Sequence, residues 1–383
     1  MAKNKKQHYV PQFYLRPFSH DGKMVYAYNL KHKKVFPVKI KNMCQENYFY
    51  CDVKDLEQNM AIVEGKQAVV VAEVIEKLNV QSIDATDKFY LLLFILMQCT
   101  RTKKSKLFAD SLIDTVFDTY CKPSLKESHV LIDKGIKPED IDPLHFEFER
   151  SHLLMMFPAM FKVDLIRDLK MVLIINHTNH NFVTSDTPCC LYNYIKSNNY
   201  GMLGFHSPGL IIFCPLNTKV LLLLFDPELY NVNLNDKSII HVENTSDIDA
   251  INKLQIHNCL ESLICSEKDD GDYLNQLNVE IENNLKKSKI KSIKASKQYI
   301  ENGYYGEIAY TYQMPMDYTL KLSFLKLNHI TSKMIKSEMR KLKKSREQVT
   351  LCRNSELCEK IEDTIANAKK IIEEQIAIPI NAY

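Results

Sequence analysis

Glycine is scarce in this sequence, with only nine among 383 residues. Neither GxxxxGK[ST] nor GxGxxG occurs, which excludes the glycine-rich phosphate loops of P-loop and dinucleotide-binding proteins. Eleven cysteines are present but no Cys-x-x-Cys pair, so the common signature of a zinc ribbon is missing too. The odd number of cysteines and the apolar surroundings of several predict free thiols in a reducing compartment.

Long apolar segments and a strong charge of one sign are also missing. The longest apolar run, Phe89 to Met97, is far shorter than the roughly 20 residues of a membrane helix. The basic N-terminus leads into no apolar stretch, so we expect a cytoplasmic protein with no membrane partner. A net charge of +3 is too small to indicate a polyanionic partner, and a nucleic-acid surface would have to come from local patches.

Local periodicity predicts the secondary structure. Alternating residues over 24–29 and 35–40 flank a charged turn and predict a β-hairpin, followed by a short strand over 48–51. Short apolar runs between 171 and 225 predict buried strands of a mixed sheet, with a strand over 182–184 and another over 263–265. Helical spacing predicts helices over 56–78, from 84 to about 110, between 112 and 134, over 142–168 and over 247–262.

From Glu280 onward the chain is rich in lysine, and its charge pattern predicts solvated helices over 333–346 and 356–375. We therefore predict an α+β fold with an N-terminal β-hairpin and helical layer, a central mixed sheet and a helical C-terminal region. The proposed division is a main domain over 1–275 and a lysine-rich, mostly helical region over 276–383.

The segment HYVPQFYLR at residues 8–16 resembles the signature of a bacterial family catalogued only as a domain of unknown function, number 4238 in its series. The similarity extends over about residues 5–270. It implies the fold more than the function, because no reaction is established for the family. Four further stretches resemble the same family: the helix around Glu64, Gln98-x-x-Arg101-Thr102, FVTSDTP at 182–188, and Pro215-Leu216.

Two segments place ionisable groups among apolar residues. A helical turn would put His8 and Gln12 on one face, where His8 could act as general acid or base or only cap a turn. Gln98 and Arg101 follow a strongly apolar run, so Arg101 is expected to be buried and to need a partner. That partner is either an anionic substrate or an internal carboxylate, which could be Glu57, Glu64 or another core acid.

Asp186 follows the predicted strand over 182–184, and a carboxylate at a strand end often faces a cleft. The alternative is an Asx-turn in which Asp186 bonds its own backbone. Ser185 lacks the Gly-x-Ser-x-Gly elbow of a nucleophile. His177-x-x-His180 has no third ligand nearby in the sequence, which argues against zinc, and we predict no metal ligands.

We expect a phosphodiesterase or nuclease-like hydrolase that acts on nucleic acid as an anti-phage or toxin-like effector. His8 would be the general acid or base, Arg101 would stabilise charge on the phosphate, and Asp186 would orient His8 or hold a metal. The sequence names no cofactor; a metal, if the reaction uses one, would be Mg²⁺ or Mn²⁺. The residues assigned to substrate contact are Gln12, Gln98, Ser185, Glu64, Lys291 and Lys294.

Two alternatives come from other classes of protein. The same groups could form the pocket of a non-catalytic module that senses nucleic acid or a nucleotide. They could also be a satisfied polar network inside an interaction protein. For the lysine cluster around Lys291 and Lys294, a solvated helix face competes with a nucleic-acid surface, which the nearby tyrosines Tyr299, Tyr304 and Tyr305 would complete by stacking.

Overall fold

The computed structural model describes residues 6–50, 54–145, 150–194, 204–232, 234, 238–284, 290–301, 304–313 and 318–328. Its helices are α1 Gln12–Leu15, α2 Lys54–Lys77, α3 Ala85–Thr100, α4 Lys103–Val116, α5 Lys122–Lys126, α6 His129–Asp133, α7 Pro138–Ile141, α8 Leu153–Met160, α9 Asp164–Arg167, α10 Thr245–Asn258 and α11 Asp270–Asn284. Its strands are β1 Lys6–His8, β2 Met24–Asn29, β3 Lys34–Lys39, β4 Gln45–Asn47, β5 Lys170–Asn176, β6 Thr184–Ser185, β7 Cys190–Tyr192, β8 Ile211–Pro215, β9 Val220–Phe225, β10 Tyr230–Val232, β11 Ile239–Val242, β12 Ser262–Cys265, β13 Ile290–Glu301, β14 Tyr304–Gln313 and β15 Leu325–Leu327. The predicted α+β class is confirmed.

The apolar runs after residue 170 form a five-stranded mixed sheet in the order β11-β5-β9-β8-β7. β11 and β5 are parallel, and the other neighbours are antiparallel. Alternate residues of these strands enter two different cores: Leu173 and Leu222 pack on one face, Val172 and Leu223 on the other. Because both faces of the sheet are buried, the sequences of these strands are continuous apolar runs instead of alternating apolar and polar residues.

One face of this sheet is covered by α2, α3 and α8, and the other by α10 together with residues 320–325. The predicted N-terminal hairpin is confirmed as β2 and β3, and it belongs to a four-stranded antiparallel sheet, β3-β2-β12-β6. This second sheet contains Thr184 and Ser185, in the middle of the FVTSDTP stretch, as β6. The smaller ladder β1-β4 holds the start of the HYVPQ segment.

Two predicted helices are interrupted. The helix expected from 84 to about 110 begins as predicted, since the Asp84 side chain accepts a bond from the Asp87 N–H. It is broken at Arg101, because the Thr102 side chain accepts from Ser105 N and starts α4. The single helix predicted over 142–168 is wrong. This segment contains two short helices, α8 and α9. Pro158 inside α8 lacks the backbone N–H that a continuous helix needs for its hydrogen bonds.

Three predicted strand or helix regions also differ from the structure. The strand expected over 48–51 lies earlier, as β4, and that expected over 182–184 is the short β6. Within the lysine-rich C-terminal region, residues 290–301 and 304–313 form the antiparallel pair β13 and β14 instead of a helix. The helices predicted over 333–346 and 356–375 lie outside the described residues.

The proposed boundary between 275 and 276 falls inside α11. Beyond it, residues 318–328 pack against the main body: Leu320 and Leu325 are buried in the core under α10, and β15 pairs with β10. Among the helices of the described segments, none combines the length and the apolarity needed to cross a membrane.

Candidate functional site

The HYVPQ segment is a strand followed by a helix start. β1 ends at His8, Tyr9 N–H donates to the Cys44 carbonyl at 2.9 Å, and Pro11 is extended with ψ 144° as the N-cap of α1. His8 and Gln12 therefore do not share a helical turn, and that prediction is wrong, because the proline keeps the residues before α1 extended. Gln12 is half-buried at the first position of α1.

Arg101 is the C-cap of α3 and is fully buried, with 0% of its surface exposed. Its Nε donates to the Tyr9 carbonyl at 3.0 Å, and its Nη1 donates to Glu64 Oε1 at 2.8 Å. Burial by itself lowers the pKa of the guanidinium, but Tyr50 and Glu64 outweigh it, and the pKa lies above its ordinary value. Glu64, one of the internal carboxylates proposed from the sequence, contacts Arg101.

The Nη2 of Arg101 is buried without a hydrogen-bond partner. The same is true of His8 Nε2 and of both amide atoms of Gln98, which lies one turn before Arg101 on α3 and is 0% exposed. We call His8, Tyr50, Glu64, Gln98 and Arg101 the Arg101 cluster. A native structure rarely leaves several neighbouring buried polar atoms unsatisfied, so a concentration of them indicates a place for water or a ligand.

His8 is the half-buried member of this cluster. Burial lowers the pKa of His8 below its ordinary 6.5, the carbonyl of Lys41 and the Glu64 carboxylate oppose this, and the charge of Arg101 adds to it. The imidazole is therefore neutral at neutral pH and carries one nitrogen able to accept a proton. Tyr50 fixes this segment, because its hydroxyl donates to the His8 carbonyl at 2.9 Å.

Asp186 is held by a different part of the protein. Its Oδ1 accepts from Leu260 N at 2.9 Å, and its Oδ2 accepts from Glu261 N at 2.6 Å and Ser262 N at 3.1 Å. Burial raises the pKa of Asp186, and these three N–H groups oppose the rise without cancelling it. The carboxylate thus holds the loop between α10 and β12. Asp186 therefore bonds backbone N–H groups, as in the alternative of an Asx-turn, but those of a distant segment instead of its own.

Ser185 is equally enclosed. Its hydroxyl accepts from Gln255 Nε2 at 2.7 Å and bonds the backbone of Thr187, and the residue is 0% exposed. Asn258 also donates to the Thr187 carbonyl. Within the described residues, none of these bonds joins Ser185 or Asp186 to the Arg101 cluster. The structure brings His8, Glu64 and Arg101 together and ties Ser185 and Asp186 into the packing of α10.

A family model described as "Protein of unknown function (DUF4238)" matches residues 6–269. The chain belongs to the DUF4238 family. No curated protein and no solved structure matches it. The family match covers β1 through the residue before α11, and thus every member of the Arg101 cluster, but it assigns no reaction.

Three residues close to the Arg101–Glu64 pair were not predicted as site residues from the sequence. Tyr50 adjoins the Arg101–Glu64 pair, Gln67 follows Glu64 by one turn on α2, and His152 lies against Phe49 with ring centroids 4.2 Å apart. His152 is 0% exposed, and both its ring nitrogens are without partners. A histidine directly before an apolar, methionine-rich helix was the available sequence signal, and the spacing Glu64-x-x-Gln67 was another.

We expect His152 to make this DUF4238 protein sensitive to mild acid. Burial first, then the charge of Lys106, lowers the pKa of His152 from 6.5 to about 4, with Asp110 opposing. Between pH 6.5 and pH 4, His152 binds a proton in the unfolded chain but not in the folded chain. The contribution of His152 to stability is therefore fully present above pH 6.5 and is lost as the pH decreases. From pH 6.5 to pH 5 the loss from His152 is about 2 kcal/mol.

The measurement is urea unfolding at both pH values for wild type and His152→Phe. The variant should lose about 2 kcal/mol less than wild type over this interval. A matched change at an exposed position, His32→Phe, should leave the wild-type pH dependence unaltered. Equal pH dependence of wild type and His152→Phe would contradict a neutral buried His152.

The remaining predicted residues lie elsewhere. Lys291 and Lys294 are on β13, opposite Tyr312 and Ala309 of β14. His177 Nε2 contacts His241 Nδ1 at 2.8 Å, whereas His180 Nδ1 contacts Asp249 at 2.7 Å, so the two histidines of His177-x-x-His180 turn to different partners. Within the described part of the chain, no three His, Cys, Asp or Glu side chains are grouped as a metal site.

A cavity of about 820 Å³ lies beside β10, β11 and β15, away from the Arg101 cluster. Asn231, His241, Ser323, Phe324 and Lys326 are among the residues that line it. None of the residues that the sequence suggested for catalysis or substrate contact belongs to this lining. The cavity and the Arg101 cluster are therefore separate features of this protein.

Proposed function

We propose that this protein hydrolyses phosphodiester bonds of nucleic acid at the Arg101 cluster, as a nuclease-like effector. One observation carries the proposal: His8 Nε2 and Arg101 Nη2 are both without a hydrogen-bond partner, in a cluster whose charges otherwise pair. Phosphoryl transfer needs a base for the attacking oxygen and a donor for the charge on the phosphate. His8 Nε2 can act as the base, and Arg101 Nη2 can act as the donor.

The division of roles follows from the contacts. Neutral His8 would take a proton from the attacking hydroxyl or water through Nε2. Arg101 would donate from Nη2 to a non-bridging phosphate oxygen, while its Nη1 stays bonded to Glu64. Because Glu64 fixes the guanidinium from one side, the donor is already oriented before substrate arrives, which is how fixed dipoles favour a transition state.

Access to the cluster is limited to its edge. Glu64 has 28% of its side chain exposed, and His8 is half-buried, whereas Arg101 and Gln98 are sealed. A substrate phosphate would therefore approach past His8 and Glu64. Lys291 and Lys294 are proposed to attract the nucleic-acid backbone, and an anti-phage or toxin-like role is part of the same proposal.

The test incubates the purified protein with single- and double-stranded RNA and DNA and with nucleotides, with and without Mg²⁺ or Mn²⁺. We expect His8→Asn to lower the cleavage rate about a hundredfold, since a positioned base is worth at least that much. Arg101→Lys keeps the charge but loses the planar fork and should act similarly. The control His32→Asn changes an exposed histidine and should retain activity.

A non-catalytic sensor of nucleic acid or nucleotides is the second candidate. The position of Asp186 favours it, because the third group expected for catalysis bonds three backbone N–H groups instead. In that case nucleotides would raise the melting temperature without being cleaved, and Arg101→Lys would remove the effect. Full cleavage by the folded His8→Asn variant would end the catalytic proposal.

A further inference from the structure

The interface of α2 and α3 contains two fully buried glutamines at the same level. Glu64 contacts Arg101, and Gln67 Nε2 contacts Met97 Sδ at 3.2 Å, so residue numbers rise on α2 as they fall on α3. The two helices are therefore antiparallel. Gln67 lies three residues after Glu64 on α2, and Gln98 lies three residues before Arg101 on α3. Both glutamines are therefore about 4.5 Å along the helix axis from the ion pair.

These glutamines leave three amide atoms unsatisfied. Gln67 Oε1, Gln98 Oε1 and Gln98 Nε2 are buried without partners, and both residues are 0% exposed. An unbonded buried polar atom costs about 1–3 kcal/mol, and an apolar residue of the same shape would avoid this cost. These two glutamines, one on each helix and not bonded to each other, thus leave two acceptors and a donor free for a third group.

The chemistry of that third group follows from the unsatisfied atoms. A phosphate or carboxylate could accept from Gln98 Nε2 but would bring further oxygens toward Gln67 Oε1 and Gln98 Oε1. An exocyclic amino group next to a ring nitrogen satisfies all three, because its two N–H groups donate to the oxygens and the ring nitrogen accepts. Glutamine recognises adenine through this same pairing of amino group and ring nitrogen.

We propose that Gln67 and Gln98 form a subsite for an amino-bearing nucleobase, adenine or cytosine, of the substrate. The inference rests on the proposed function, since Arg101, one turn away, would hold the phosphate of the same nucleotide. Uracil and hypoxanthine carry an oxygen in place of the amino group and would set it against the amide oxygens. Tyr50, whose hydroxyl donates to the His8 carbonyl, places an aromatic ring beside Arg101.

The test compares nucleosides that differ only in this group: adenosine with inosine, and cytidine with uridine. Each is titrated into the full-length protein while the melting temperature is recorded, which requires no cleavage. Adenosine and cytidine should raise the melting temperature, with an affinity about tenfold or more above that of the oxo partner. Gln98→Met should abolish the difference.

Two further measurements keep the outcome interpretable. Gln98→Met and Gln67→Met remove unsatisfied amides, so both variants should fold and be at least as stable as wild type. The control Gln276→Met makes the same change at an exposed position of α11 and should keep the preference for amino-bearing nucleosides. A marked loss of stability in Gln98→Met would show that its amide is bonded in the folded chain and would contradict the subsite.

The base subsite and the phosphodiesterase proposal fail in different ways. Equal protection by adenosine and inosine, or none by any of the four nucleosides, overturns the subsite and leaves water as the occupant. Nucleic-acid cleavage that depends on His8 and Arg101 would still stand after that result. Conversely, absence of cleavage with a clear preference for adenosine over inosine would overturn hydrolysis and retain base recognition in the sensor.

Discussion

Replacement of Glu64 by methionine is expected to lower the free energy of unfolding by about 3–5 kcal/mol. Arg101 is fully buried, and Glu64 is the carboxylate bonded to its guanidinium, at 2.8 Å. Without Glu64 a positive charge stays in the interior with no compensation, which is the most destabilising way to break a buried ion pair. Urea unfolding at neutral pH measures the loss.

The double variant Glu64→Met with Arg101→Met should regain at least about 1 kcal/mol relative to Glu64→Met alone, since it removes the stranded charge. The matched control is Glu73→Met, also on α2. It breaks the Lys77–Glu73 pair, whose lysine side chain is 55% exposed, and should cost no more than about 1 kcal/mol. If Glu64→Met costs no more than Glu73→Met, the Arg101–Glu64 pair does not determine the stability of this region.

Asp186→Asn should destabilise the protein by about 3 kcal/mol. Asparagine can keep one acceptor for Leu260 N, but its amide nitrogen would face Glu261 N and Ser262 N, donor against donor. Two partly buried N–H groups would then lose their acceptor, at about 1–3 kcal/mol each. This cost is partly offset, because the neutral amide is cheaper to bury than the carboxylate.

Thermal and urea unfolding of Asp186→Asn are compared with those of Asp133→Asn, an exposed position where the change should stay within about 0.5 kcal/mol. The result also separates two roles for Asp186. A loop anchor loses stability when changed, whereas a catalytic carboxylate loses activity at unchanged stability. If Asp186→Asn has the melting temperature of wild type but no longer cleaves nucleic acid, Asp186 has a catalytic role.

The sequence predicted those features that depend on neighbours along the chain. Period-two alternation placed the N-terminal hairpin, apolar runs placed β5, β8 and β9, and Asp84 marked the start of α3. The burial of Arg101 followed from the run Phe89 to Met97 in front of it. The need of a buried guanidinium for a partner named Glu64 among the candidate internal carboxylates. Local patterns suffice there because one element contains the whole pattern.

Only the tertiary structure decided which polar groups meet. The Arg101–Glu64 pair joins residues 37 positions apart, and the bond from Arg101 to Tyr9 joins residues 92 apart. Such contacts depend on how helices and loops pack, which no local periodicity encodes. Packing likewise turned Asp186 toward the loop after α10, where backbone N–H groups had to be satisfied, and placed Gln67 of α2 against Met97 of α3. The sequence by itself thus determined the N-terminal hairpin, the buried strands of the central sheet and the burial of Arg101, because each depends on a local pattern. The packing of helices and loops decided which polar residues lie together.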